Sequence, residues 1–226
     1  MRYFFAIAAT FISFNQPHQV SDDHGRWLIA RAPDGSAYVE LQWPDGSTWK
    51  RTMQLSEIDG LDVLARKGER GSFRIDEDAG RFDFSGSFLR GRGTGEFQFY
   101  PKRPFVSTLR ALPIPDLGVV TDRDLMNLAW GRFSARAARD FIALGFSPMR
   151  KEEMMDLAVQ HVTPEFVSRL RAVGVKELDT VDEAVEARMF GVTLDLVRAA
   201  RQAGITDLTV ENLVDIRSRV QKGNRH

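Results

Sequence analysis

A segment of about thirty residues recurs down the second half of the chain, and a period of that length commits a chain to stacked supersecondary units rather than to one compact enzyme core. Val162-Thr163-Pro164-Glu165-Phe166 opens a unit that closes at Gly174. Val192-Thr193-Leu194-Asp195-Leu196 opens a second that closes at Gly204, and a weaker copy runs from Phe133-Ser134 to Gly145. The opening hydroxyls stand 29 and 30 residues apart, and the closing glycines keep that spacing. Ser134, Thr163 and Thr193 suit the N-cap position, where a hydroxyl accepts from an orphan backbone N–H. Pro164 then falls at the first helical position, where its missing N–H costs nothing. Gly145, Gly174 and Gly204 suit the left-handed residue after a helix, with Phe146, Val175 and Ile205 making the hydrophobic contact of a Schellman end. Thr121 with Asp124 predicts a further cap. Between these helices lie others, and Leu125, Met154, Ala184 and Leu213 form one column in the repeat register. Leu128, Leu157, Ala187 and Ile216 form a second, three residues on. Two such columns predict helical hairpins meshing through their small and aliphatic side chains, closed by a final helix over about residues 210–220 and a frayed tail.

The first half has a different period. Val39, Leu41 and Trp43 alternate with polar neighbours, Pro44-Asp45-Gly46-Ser47 makes a turn, and Trp49 to Met53 returns. Leu55 to Leu64 is more helical or irregular. Phe73 and Ile75, then Phe82 and Phe84, then Phe97 and Phe99 put paired apolar side chains on one face of three successive strands. Glu77-Asp78-Ala79-Gly80 and Gly91-Arg92-Gly93-Thr94-Gly95 form the turns between them. Phe105 to Leu112 predicts a short helix across that sheet. Pro113 and Pro115 break regular pairing and predict a linker. The expected fold is α+β: an antiparallel β meander or sandwich-like domain over residues 21–112, a linker over 113–120, an α-helical hairpin repeat domain over 121–221 and a tail over 222–226.

Composition narrows the functional classes. The chain has no cysteine, which excludes disulfides, thiol catalysis, Cys-ligated zinc and iron–sulfur clusters. Its 31 basic and 31 acidic residues balance, which weighs against a nucleic-acid partner while leaving room for a local patch. Arg2 precedes an apolar run from Tyr3 to Phe14, followed by Asn15, Gln16 and Pro17. This pattern matches the first two regions of a secretory signal, predicted over residues 1–20, and the run is short for a bilayer span. Export to the periplasm or beyond is the expectation. A buried N-terminal strand or helix in a cytoplasmic protein is the alternative, and a membrane is reached only through this segment if it stays uncleaved.

No catalytic motif emerges. His18, His24, His161 and His226 form no H-E-x-x-H or H-x-x-x-H pattern. His161 shares a repeat position with Arg132 and Gly191, which predicts an exposed turn residue; the rival role is a general base near Glu165. His18 and His24 with Asp22 and Asp23 predict a mobile stretch rather than a metal site. Gly91, Gly93 and Gly95 precede a strand, not a helix, and lack the lysine of a phosphate loop. Asp76, Glu77, Asp78 and Asp83 predict solvated charges around a hairpin rather than calcium ligands. Arg169, Arg171, Arg198 and Arg201 fall on outer helix faces, interspersed with Glu165, Glu177, Glu183 and Glu186.

The repeat wording carries a resemblance. Asp156-Leu157, Val162-Thr163-Pro164-Glu165-Phe166, Leu170 and Gly174, then Gly191-Val192-Thr193 and Gly204, resemble units in the C-terminal extensions of membrane metallopeptidases of the β-lactam-sensing antirepressor class. They also resemble units of stand-alone exported bacterial proteins. The stretch Phe73-Arg74-Ile75-Asp76-Glu77-Asp78-Ala79-Gly80 through Phe99-Tyr100-Pro101 is similar to a segment that precedes such units. The chain lacks H-E-x-x-H and a multi-span region, so the resemblance implies the accessory module and no peptidase. Leu194 replaces the proline in the later unit, and the unit at Phe133-Ser134 is degenerate.

The expected function is therefore non-enzymatic: a protein-binding or signalling-associated module of the cell envelope, with no cofactor or metal. Glu165, Arg169 and Arg198 are the candidate interaction residues. A nucleic-acid-associated regulator and a hydrolase with a site between the halves are the alternatives. Partner identity and oligomeric state are left open.

Overall fold

The computed structural model describes residues 23–32, 34–58, 70–115 and 117–223, so the predicted signal segment lies outside the described residues. Among the described residues six strands come first: β1 (His24–Arg31), β2 (Ser36–Gln42), β3 (Thr48–Gln54), β4 (Arg70–Glu77), β5 (Gly80–Leu89) and β6 (Arg92–Pro101). Eight helices follow among these residues: α1 (Pro104–Arg110), α2 (Asp122–Trp130), α3 (Ala135–Ala143), α4 (Lys151–Val159), α5 (Pro164–Ala172), α6 (Val181–Met189), α7 (Leu194–Gln202) and α8 (Val210–Gly223). The α+β fold follows the two periodicities of the sequence.

All six strands belong to one antiparallel sheet, in the order β3-β2-β1-β6-β5-β4. The expected meander exists as β4-β5-β6. The first strand then pairs with the last, Trp27 facing Gly95, so two three-stranded halves close into a single sheet rather than a sandwich. The sheet curls. Trp27 and Phe73 lie on strands three places apart, about 14 Å for a flat sheet, yet their ring centroids are 5.1 Å apart. The apolar face is thus the concave one.

Glycines make that curl possible. A side chain at Gly86 or Gly93 would come within 2.7 or 2.9 Å of the Trp27 ring. The indole lies on this glycine floor, and its Nε1–H donates to the carbonyls of Ser85 and Glu96 at 3.1 and 2.9 Å. The predicted turn over 91–95 is shorter than expected: only Arg90 and Gly91 turn, with φ of 50° and 77°, and Gly93 and Gly95 belong to β6. A 3-10 turn covers Leu55–Glu57, and the rest of the irregular stretch reaches beyond the described residues.

The helical half repeats its end chemistry. Thr121, Ser134, Thr163, Thr180 and Thr193 each accept from the backbone N–H three residues on. At the other ends, Phe146, Val175 and Ile205 donate backbone N–H groups to Phe141, Leu170 and Ala200, the expected Schellman closure. The intervening helices end alike: Phe133, Val162 and Val192 donate to Leu128, Leu157 and Ala187. Consecutive even-numbered helices pack on one another as an inner row, α2 to α8, and α3 packs on α1 and α5. Leu125, Met154, Ala184 and Leu213 are all buried, as are Leu128, Leu157 and Ala187; Ile216 is half-buried.

The two halves share one apolar core. Helix α2 packs on β4, β5 and β6, and Trp130 meets Phe82 edge-on at 5.7 Å. Ile114 and Leu117, in the predicted linker, are buried in the same core.

Candidate functional site

The repeat geometry creates a groove between α5 and α7. Their capping residues Thr163 and Thr193 lie along it with Glu165, Phe166, Arg169 and Arg188, around a volume of about 280 Å³. Arg188 sits 5.5 Å above the Phe166 ring, and Glu165 pairs with Arg169 at 2.5 Å, one helical turn apart. Two of the three expected interaction residues thus come together here. Arg198 pairs instead with Asp195 at 2.9 Å and does not line the groove. Between the groove residues Arg188 and Gly191, Met189 and Phe190 are 60% and 48% exposed, so the lip is apolar. Sequence reading missed these two, although Met189 repeats the position of Val159, which is also exposed.

The other arginines of the expected outer stripe have different work. Arg171 Nη1 donates to the Leu144 carbonyl at 2.6 Å, and its Nε and Nη2 donate to the Leu178 carbonyl at 3.1 and 2.6 Å. Arg201, thirty positions later, donates to the Val173 carbonyl at 2.5 Å. Leu144 and Val173 cap the C-termini of α3 and α5. Each arginine therefore satisfies orphan carbonyls of the preceding unit, where a cation also meets the negative end of the helix dipole. Mixed solvated faces describe Arg169 and Arg198, not this pair.

The acidic hairpin is likewise a joint rather than a set of solvated charges. Asp78 accepts from the Ala135 backbone N–H at the start of α3, 3.1 Å. Glu77 takes Arg132 at 3.2 Å and Arg51 at 3.8 Å. Asp76 pairs with Lys102, and Asp83 with Arg81 at 2.9 Å. Arg51, only 7% exposed, donates to the Trp130 carbonyl at 2.8 Å and crosses from β3 to the end of α2. No periodicity in the sequence marks this arginine, because it stands alone on a strand.

His161 corrects an expectation. It has the left-handed conformation of a helix end, φ 52°, matching Arg132 at 56° and Gly191 at 69°. Yet it is half-buried against β3. Burial, then the positive charges of Arg51 and Arg188, lower its pKa to about 4, while a hydrogen bond to the Lys50 backbone works the other way. It lines a small cavity of about 200 Å³ with Thr48, Trp49, Lys50, Asn127, Trp130 and Val159. Among the described residues no carboxylate lines that cavity to orient the ring as a general base, and Glu165 lines the other groove. The end of α2 approaches α4 closely: a side chain at Gly131 would meet the Ala158 carbonyl at 2.3 Å.

A larger, open depression of about 850 Å³ lies on the polar face of the sheet, with Arg26, Arg74, Asp83, Glu96 and Tyr100 along it. Opposite charges face each other across strands, Arg26 with Glu96 and Arg74 with Asp83, so the face is largely self-compensated. His24 is exposed and hydrogen-bonds Asp23 at 3.1 Å; His18 and His226 lie outside the described residues. Among the described residues no cluster of three or more His, Asp or Glu side chains could hold a metal ion, and no helix is long and apolar enough to cross a membrane. No family model, curated protein or solved structure matches the chain.

Proposed function

We propose that this chain is a non-enzymatic binding protein of the cell envelope, whose helical array holds a protein partner along the groove between α5 and α7. The observation that carries this reading is the apolar lip, Met189 and Phe190, beside a groove whose charged walls are Glu165, Arg169 and Arg188. An apolar centre with a polar rim is the usual anatomy of an interface. Arrays of stacked helical hairpins present such a surface without any chemistry of their own. The apolar run from Tyr3 to Phe14 and the likeness of the repeats to exported bacterial modules support the envelope as the compartment.

A photo-crosslinking residue placed at Phe190 in the full chain, expressed in its own cells, tests the surface. A discrete adduct is expected at Phe190 and not at Val119, which is 78% exposed but far along the chain from the groove. Arg169→Glu together with Arg188→Glu should abolish that adduct. Equal adducts at both positions, or none at Phe190, would sink the reading. N-terminal sequencing of the protein from fractionated cells tests the compartment separately: a cytoplasmic chain that retains Met1 removes the envelope from the proposal.

A further inference from the structure

One position of the repeat changes character along the array. Ala129, Ala158, Arg188 and Arg217 occupy it in turn, each one residue after the second buried column. The first two are buried alanines. The last two are exposed arginines on α6 and α8, helices that pack on each other. Packing does not ask for a guanidinium here, because the earlier units fill the same position with a methyl group.

Neither arginine has a carboxylate to meet. An acid three or four residues away would be the natural partner on a helix, and those places around both arginines hold uncharged residues. Other arginines of the array are paired: Arg169 with Glu165, Arg198 with Asp195 and Arg219 with Asp215. Among the described residues no acid lies within ion-pair distance of Arg188 or Arg217. Arg188 lines the groove between α5 and α7, and Arg217 comes up to its edge: a side chain at Gly191 would stand 4.0 Å from Arg217 Nε. Glu165 is the carboxylate on the groove wall, so three guanidiniums meet one acid. The surplus is felt nearby. Burial and Arg51 do most to depress the pKa of His161, and Arg188 adds to it. The exposed apolar pair Met189 and Phe190 follows directly on Arg188.

The geometry points to an acidic segment of a partner protein as the occupant of this groove, its carboxylates on Arg188 and Arg217 and an apolar side chain against Met189 and Phe190. The inference rests on reading the groove as a protein-binding surface, and it supplies the chemistry of the partner. Packed helices lie about 8–10 Å apart, and an extended chain advances about 3.3 Å per residue. Carboxylates about three residues apart therefore span the step from α6 to α8. A nucleic acid would offer phosphates to the same arginines, but the chain carries 31 residues of each sign and no basic surplus to hold a polyanion.

The test follows the Met189 and Phe190 amide signals of the ¹⁵N-labelled full chain during titration with a short peptide centred on Glu-Leu-Ala-Glu. Its counterparts carry Gln-Leu-Ala-Gln or Glu-Ser-Ala-Glu, and oligothymidylate stands for nucleic acid. The first peptide should shift both signals saturably, more tightly than either counterpart, and less tightly as salt is raised. Arg188→Gln and Arg217→Gln should each weaken it about fivefold, as the loss of one exposed ion pair does, with the melting temperature kept. Arg188→Lys should retain most of the binding, and Arg136→Gln, exposed on α3, all of it. The proposal is overturned if the Gln peptide binds as well, if oligothymidylate binds more tightly, or if both arginine variants bind like the unaltered chain. A crosslinked partner at Phe190 with no preference for the acidic peptide would remove the acidic occupant and leave the groove as a binding surface. Loss of the crosslink itself would remove the surface.

Discussion

The sheet and the helical array reach a buried core by opposite means. The sheet interlocks a few large rings: Phe73 stacks on Phe84 at 4.3 Å, and both surround Trp27 on its floor of glycines. The array meshes many small side chains, Ala158, Ala184, Ala187 and Ala200 among them, and closes each helix with the same local hydrogen bonds. A core of the first kind is specified by close approaches that admit no substitute. A core of the second kind spreads its specification over repeated, individually modest contacts. The sharpest way to break this contrast is at Gly95, where a side chain would stand 2.0 Å from the Ser85 carbonyl and 2.6 Å from the Gly86 backbone. Neither neighbour is a flexible tip that can swing away. Gly95→Ala is expected to cost more than about 4 kcal/mol, at the severe end for a single change, and to leave little soluble folded protein. A melting temperature near that of the unaltered chain would show the sheet to be as forgiving as the array.

Arg51 probes what the two halves do to each other. It is the buried cation that joins β3 to the end of α2 and, through Glu77, to Arg132. Arg51→Met keeps the apolar stem and removes the head, leaving the Trp130 carbonyl without its donor. Removing one member of such a buried arrangement costs about 3 kcal/mol. Thermal unfolding should then separate into two transitions, one for the array and one for the sheet. A single unshifted transition would mean that apolar packing of α2 on the sheet is enough to couple them.

How legible all this was in the sequence depends on what each feature rests upon. Caps, Schellman ends and both buried columns were readable because they rely on local hydrogen bonds and a fixed period, and Thr163, Gly174 and Met154 sit where the period puts them. The pairing of β1 with β6 was not readable, since no local signal says which strand edges meet. The glycines of β6 looked like a turn because sequence shows their freedom but not the indole that requires their smallness. The groove gathered Glu165 and Arg169 but left Arg198 outside, a difference of one repeat that exposure patterns alone do not resolve. His161 looked exposed because its repeat equivalents are turn residues; it is half-buried because it is the copy that faces β3. Its equivalent Arg132 is spent on Glu77, and Gly191 has no side chain to bury.

That asymmetry gives the array an acid-sensitive point. His161 is held neutral, with a folded-state pKa of about 4 against 6.5 for an unperturbed ring. The unfolded chain therefore binds the extra proton first. Stability contributed at this residue is complete above about pH 6.5 and is lost as pH falls toward 4. The full shift would amount to about 3 kcal/mol; part-exposure of the ring brings the expectation to about 2 kcal/mol. His161→Asn tolerates the left-handed backbone and should flatten the difference in stability between pH 7 and pH 4.5 by that amount, as read from denaturant midpoints. Parallel acid profiles for the two proteins would place the ring in water after all.

The smallest effect sharpens the contrast most. Thr163 accepts from the Phe166 N–H at 3.1 Å, and Thr193 does the same for Leu196 at 3.2 Å one unit later. Each cap is exposed and local, so replacement by alanine should cost about 1 kcal/mol. The cost should also stay local. In an array whose units touch only their neighbours, Thr163→Ala should speed amide hydrogen exchange across α5 and the helices beside it, and leave β4, β5 and β6 protected as before. The double variant with Thr193→Ala should lose close to the sum, because the two caps share no partner. Exchange that accelerates equally in the sheet would mean that the array and sheet open as one unit. The buried seam at Arg51 and Trp130 would then outweigh the modularity that the repeats otherwise confer.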